Sequence, residues 1–291
     1  VKDDKEFIVI DPGVSTYQLK KFKKLEKAGY LTLDKISRIF LTHHHWDHSL
    51  LASYFQQRFG SKIYCHLLEK EGVENGDVIY NLYWESFEIL ESDIKPFPDW
   101  AIKLVLWFMW RNYKPMKVND TFMEGDELSA NEIIQVIELP GHTPGMVGFY
   151  FPESKVFYVG DLFDSEFGLA MNINNPFSNF DCALSSLNRI LDFDVNILIP
   201  GHGGSIYGRE HCLMYANKKI EEAIEIREKL LGLLKQKKWK LMNLVKAIIP
   251  KPYSITKIYL SRHFIYVLLV DIWKNEGLKI EKRGRRNLVY R

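Results

Sequence analysis

Apolar positions along the first 200 residues follow two alternating rhythms. Runs such as Phe7-Ile8-Val9-Ile10 and Ile36-Ser37-Arg38-Ile39-Phe40-Leu41 read as buried strands. Between them the stretches 17–28 and 50–58 carry apolar residues at helical spacing, and Gly29-Tyr30 marks the end of the first helix. The first half therefore predicts strand 7–10, helix 17–28, strand 36–42, helix 50–58 and strand 62–66. After about residue 118 the order changes to strands at 126–128, 133–138, 147–151 and 156–159, a helix at 181–191 and a strand at 196–199. Two such halves predict an α+β chain folded as a four-layer αββα sandwich, with the loops of one sheet edge gathered together.

Two stretches stand outside that order. Residues 77–118 interrupt it, and within them the run from Phe97 to Trp110 is aromatic and apolar nearly all round. A membrane span needs about 20 apolar residues. This run is shorter and contains Asp99 and Lys103, so no transmembrane segment is predicted. Three roles remain open for it: core or homodimer packing, a cap that lines a pocket for an acyl chain, or a membrane-interface contact. The second stretch is the tail. Helices are predicted at 220–234, at 241–249 with Pro250 as the stop, and at 254–275 between Ser254 and Gly277. A basic hairpin at 278–290 follows, turning at Gly284. Three helices and a hairpin resemble a winged helix. The expected division is a catalytic domain at 1–217 and a winged-helix-like domain at 218–291.

Charge supports this division. The net charge of +2 hides a tail, 218–291, with 19 Lys and Arg against 7 Asp and Glu. A basic wing predicts RNA contact through the phosphate backbone; the plainer reading is that the tail packs on the catalytic domain. Hydrophobic residues at 46% and charged residues at 26% describe an ordinary globular chain, which excludes disordered and membrane-embedded classes. Cys65, Cys182 and Cys212 show no Cys-x-x-Cys spacing, which argues against a disulfide framework or zinc ribbon and predicts a cytoplasmic setting. No signal peptide is visible in the opening residues.

The chemistry concentrates in Thr42-His43-His44-His45-Trp46-Asp47-His48. Here four candidate metal ligands, His43, His45, Asp47 and His48, follow a buried strand. His43 and His45 are two apart and point the same way on an extended strand end, whereas His44 alternates away. Three later strand-to-glycine turns each present one polar residue: His142 in Leu139-Pro140-Gly141-His142-Thr143-Pro144-Gly145, Asp161 after Gly160, and His202 in Pro200-Gly201-His202-Gly203-Gly204. Mixed imidazole and carboxylate donors suit zinc and other divalent ions.

Taken in this order, residues 7–205 resemble the metallo-β-lactamase superfamily of metal-dependent hydrolases, with Ile10-Asp11-Pro12-Gly13 similar to its first motif. The resemblance implies that His43, His45 and His142 hold one metal ion and that Asp47, His48 and His202 hold a second. Asp161 would bridge the two, and Asp11 would lie outside the ligand shell. Two divalent ions are implied, zinc first, with iron or manganese also compatible. A bridging hydroxide is then expected to attack an ester-like bond, with Asp47 as the catalytic candidate that orients it or takes a proton.

Departures prune the subfamilies. His48 disfavours antibiotic-hydrolysing lactamases, and His45 stands where flavodiiron reductases carry Glu. The motif is very similar to the glyoxalase II form, yet Asp161 is followed by Leu162-Phe163-Asp164-Ser165 rather than that family's glycine-and-cysteine loop, which argues against a glutathione thioester. The expected substrate is a small-molecule lactone, ester or thioester. The alternative is a ribonuclease whose basic tail grips single-stranded RNA.

Overall fold

The computed structural model describes residues 2–3, 6–14, 16–77, 100–101, 103–104, 107, 114–163, 171, 173, 177–248, 264–272, 279–283 and 286–290. The first sheet has the order β1-β2-β3-β4-β5: Lys2–Asp3, Glu6–Ile10, Ile36–Phe40, Lys62–His66 and Val118–Phe122. Strands β2 to β5 run parallel, as helical crossovers require. The second sheet, in the order β11-β10-β9-β8-β7-β6, uses Glu127–Ser129 (β6), Ile133–Glu138 (β7), Val147–Phe151 (β8), Val156–Tyr158 (β9), Ile197–Ile199 (β10) and Ile206–Tyr207 (β11). Its members pair antiparallel except β9 with β10, which run parallel.

Alternation along each strand sorts side chains into layers. Ile8, Phe40, Phe122, Ile134, Val136, Val147, Phe149 and Phe151 form the core between the sheets. There Phe40 stacks on Phe149 with ring centroids 5.8 Å apart. The odd-numbered neighbours Phe7, Val9, Ile39, Ile63 and Cys65 face outward instead, packing with Leu19 and Phe22 of α1 (Thr16–Lys27) and Phe55 of α3 (Ala52–Phe59). On the far side Ile137, Leu139, Tyr150, Phe157 and Leu198 pack with Phe180, Ala183 and Leu187 of α5 (Phe180–Arg189). The fold is therefore helix, sheet, sheet, helix. The short helices α2 (Trp46–Ser49) and α4 (Lys70–Glu74) follow β3 and β4, and Val73 of α4 joins the outward-facing cluster of the first sheet.

The outermost layer continues into the tail. Helix α6 (Arg209–Gln236) runs 28 residues, starting well before the predicted 220 and crossing position 217. Its buried Cys212, Ala216, Ala223 and Leu230 share one apolar cluster with Phe157 and with Phe264 and Leu268 of a helix at 264–272. A strand β12 (Trp239–Lys240) and helix α7 (Leu241–Ile248) follow α6. The hairpin forms as expected from β13 (Lys279–Arg283) and β14 (Arg286–Tyr290), and β12 pairs with β14 to complete a three-stranded sheet. The ends of the predicted 254–275 helix and most of the aromatic insertion lie outside the described residues. Of the insertion, Trp100, Leu104 and Trp107 are exposed. Among the described residues no helix is long and apolar enough to cross a membrane, and all three cysteines are free thiols.

Candidate metal centre

The loops at one edge of both sheets converge. Asp11 follows β2, the segment His43–His48 follows β3, His142 lies between β7 and β8, Asp161 follows β9 and His202 follows β10. His43 and His45 leave the strand together, and the chain then enters α2, whose single turn presents Asp47 and His48. Asp11 takes a left-handed φ of 46°, a conformation Asp tolerates better than most residues. Its turn is tied down by Gly13 N–H donating to the His48 carbonyl at 3.1 Å and Leu51 N–H donating to the Gly13 carbonyl at 2.8 Å.

All seven residues singled out as candidate ligands come together, in two groups. His43, His45 and His142 form one; Asp47, His48, Asp161 and His202 form the other, with the candidate atoms of each group within 4.8 Å of one another. His45 Nδ1 lies 2.8 Å from His142 Nε2. Asp161 stands between the groups. Its Oδ2 is 3.5 Å from His142 Nε2 and 3.4 Å from His202 Nε2, while its Oδ1 is 3.2 Å from His48 Nε2. Asp47 Oδ2 is 3.0 Å from His202 Nε2 and 3.9 Å from His48 Nε2. His43, His45, His48, His142 and Asp161 are buried; Asp47 and His202 form the accessible rim, with side chains 28% and 39% exposed.

Asp11 sets the tautomers. Its Oδ1 accepts Thr42 N–H at 2.9 Å, and its Oδ2 accepts from the Thr42 hydroxyl at 2.7 Å, His48 Nδ1 at 2.8 Å and the Tyr158 hydroxyl at 2.8 Å. Because the Thr42 proton goes to Asp11, Thr42 Oγ1 accepts from His43 Nδ1 at 2.9 Å. Both rings thus carry hydrogen on Nδ1 and turn Nε2 inward. His44 does leave the cluster: its Nδ1 hydrogen-bonds the buried carboxylate of Glu69. Glu69, Thr42 and Tyr158 are the residues that sequence reasoning missed. Glu69 and Tyr158 act across sheets or loops, and Thr42, although next to His43, matters by tying it to the distant Asp11, so no local spacing announces them.

The electrostatics divide in the same two ways. Burial, reinforced by neighbouring imidazoles, holds His43 and His45 well below the usual histidine range, so both are neutral. Burial also opposes charge on His48, yet Asp161, Asp11 and Asp47 outweigh it and raise the ring well above that range. Hydrogen bonds to Asp161 and Asp47 push His202 up to about 10. Burial opposes ionisation of Asp161 and Asp47, but His48 and His202 keep both carboxyls below their ordinary value. Protonated imidazoles here occupy the place of cations between carboxylates.

The residues fit a pair of metal ions. His43 Nε2 is buried with no hydrogen-bond partner among the described residues, as expected for a lone pair reserved for a ligand bond. Gly201 keeps space open: a Cβ there would collide with Asp161 Oδ1 and lie 2.8 Å from His48 Cε1. The donors, imidazole nitrogens and carboxylate oxygens, suit divalent ions of borderline softness.

Comparison with known proteins agrees with this geometry. The family model described as metallo-beta-lactamase superfamily matches residues 1–202. A hydroxyacylglutathione hydrolase, GloC, of Haemophilus influenzae is 29% identical over 205 residues, 69% of this chain and 82% of that one. An acyl-coenzyme A thioesterase of Gallus gallus is 24% identical over 234 residues, 77% of each chain. The crystal structure of a metallo-beta-lactamase family protein from Thermus thermophilus superposes with a TM-score of 0.77 at 19% identity, covering 100% of this chain and 92% of that one. That likeness concerns the fold, and it extends through the helical tail.

Proposed function

Because the chain belongs to the metallo-β-lactamase superfamily, we propose that it is a dinuclear metal-dependent hydrolase of small-molecule thioesters or related esters and lactones. One observation carries this reading: Asp161 reaches both ligand groups, 3.5 Å from His142 and 3.4 Å from His202, as a shared ligand would. His43, His45 and His142 would hold one ion, Asp47, His48 and His202 the other. Zinc is favoured by the donor set. Two such ions supply hydroxide at neutral pH and polarise the carbonyl under attack.

The chain's own residues do the rest. Asp11 holds His48 and, through Thr42, His43 with their Nε2 atoms inward. Asp47, kept as a carboxylate and partly exposed, can accept a proton from the attacking water at Oδ2. His202, also on the rim, borders the same opening. Thioesters lead the substrate classes because one relative described above is named an acyl-coenzyme A thioesterase and the other a hydroxyacylglutathione hydrolase. The Leu162-Phe163-Asp164-Ser165 sequence after Asp161 favours an acyl carrier other than glutathione.

The test is a substrate panel of acyl-coenzyme A, lactoylglutathione, an acyl lactone and single-stranded RNA, with zinc-loaded, chelator-treated and His45→Ala protein. Thioester or lactone turnover that disappears in both controls is the expected result. No turnover of any carboxylic substrate by zinc-loaded protein would remove this reading. RNA cleavage in its place would favour the ribonuclease alternative, for which the tail's 19 basic residues speak.

A further inference from the structure

Glu69 is fully buried, 0% exposed, yet belongs to none of the candidate ligand groups. It ends the 3-10 turn Leu67–Glu69, which His66 caps by accepting Leu68 N–H at 3.2 Å. Its two oxygens go to two different loops. Oε2 accepts the main-chain N–H of His44 at 3.0 Å as well as bonding the His44 ring. Oε1 accepts the main-chain N–H of Gly145 at 2.7 Å. His44 lies between His43 and His45, and Gly145 is three residues beyond His142. One carboxylate therefore spans the two loops that present the three histidines.

The approach is close on the loop side. A Cβ on Gly145 would lie 2.6 Å from His66 Nδ1, 2.8 Å from Leu68 Cβ and 2.9 Å from Glu69 Oε1. Only a bare α-carbon lets that N–H reach the carboxylate. His66 extends the tie, with its Nε2 3.1 Å from Glu138 Oε1 at the end of β7. None of the hydrogen bonds described for Glu69 goes to Asp47, His48 or His202, of which His48 is held by Asp11.

We propose that Glu69 is a positioning residue for the three-histidine half of the centre, a clamp that sets the spacing of His43 and His45 against His142. The inference rests on the metal-binding reading above. A buried carboxylate offers only acceptors, and here it faces two rigid main-chain donors and one ring donor. Its isosteric amide has one acceptor to divide between loops that both need one. Weakening the clamp lets the His142 loop drift from the strand end, and ligand geometry at that half loosens. The half built on Asp47, His48 and His202 keeps its own supports.

The experiment measures zinc dissociation constants by competition with a chelating dye for the parent, Glu69→Gln and Gly145→Ala, beside urea unfolding of each metal-free protein. Parent protein should bind two equivalents. In Glu69→Gln one equivalent should weaken by about tenfold or more, the usual cost of losing a group that orients ligands, while the other stays within about threefold. Gly145→Ala breaks the clamp from the opposite loop and should give the same one-sided loss; it carries the test if the amide variant does not fold. Two equivalents bound as tightly as in the parent overturn the inference, as does equal weakening of both in step with lost folding stability. A parent that binds no zinc overturns the metal reading itself.

Discussion

Replacing Asp11 by Asn should disable metal binding without moving the backbone. Asn tolerates the left-handed φ of 46° at this position, so the main chain has no reason to change. The carboxylate accepts four hydrogen bonds, one on Oδ1 and three on Oδ2. An amide keeps one oxygen and introduces a donor. With nitrogen in the Oδ2 place, the hydroxyls of Thr42 and Tyr158 can rotate to accept, but His48 can adapt only by moving its proton to Nε2. Thr42, once rotated, no longer accepts from His43, which is pushed the same way. With nitrogen in the Oδ1 place, it opposes the fixed N–H of Thr42. Either arrangement leaves at least one buried donor unmatched, a cost of about 1–3 kcal/mol. Two ligand lone pairs are blocked in the first, which should weaken zinc binding by roughly 10- to 100-fold. Urea unfolding of metal-free Asp11→Asn gives the first quantity and dye competition the second. Nitrogen NMR of the ring atoms in zinc-loaded protein reports which nitrogen of His48 carries hydrogen. A variant that retains zinc affinity within twofold, with hydrogen still on His48 Nδ1, would refute the tautomer argument.

Three further outcomes follow from the same geometry. Gly201→Ala places a methyl group against Asp161 and His48, so it should fold yet bind less than two equivalents of zinc; full stoichiometry by elemental analysis would contradict this. His202 is raised from 6.5 to about 10 in the metal-free fold, so its stabilisation is complete below pH 6.5 and is lost as pH rises through about 10. The urea midpoint of metal-free protein should fall across that window, and less so in His202→Ala; identical profiles would argue against the ion pairs drawn for His202. Burial and the neighbouring Asp181 raise Asp271 from 3.8 to about 6, against the pull of Arg227. Its stabilisation is therefore complete below pH 3.8 and lost as pH rises through about 6, so Asp271→Asn should stabilise the protein at pH 8 relative to the parent. Equal denaturation midpoints at pH 8 would exclude this.

Strands built on short apolar runs were readable from the chain alone. Strands Lys62–His66, Ile133–Glu138 and Val147–Phe151 have the bounds expected from the chain. Strand β5 was not readable, because Val118–Phe122 carries Asn119, Asp120 and Thr121 between its two buried ends. The two-residue strands β11 and β12 are too short to hold a period. Helix α6 hides its beginning because its buried residues there, Cys212, Ala216 and Lys219, are small or charged, with Tyr215 the large ring packed beside them. At the centre, residues placed by a strand end or a glycine turn announce themselves. Those that matter by holding another residue in place, Glu69 through the main chain of His44 and Gly145 and Tyr158 through Asp11, become visible only when distant segments meet.

The continuity of the outer helical layer bears on how this chain is made. Every candidate ligand has left the ribosome once residue 202 emerges. The wall behind β9 and the Asp161 turn is still missing then, because Phe157 and Phe163 share their apolar cluster with α6 and with 264–272, and Phe163 packs its ring on Tyr215 at 5.2 Å. At roughly 5–20 residues per second the histidines wait several seconds for that backing. Synthesis thus delivers the ligands early and the rigidity late, so a metal ion offered to the nascent chain meets donors before it meets a site.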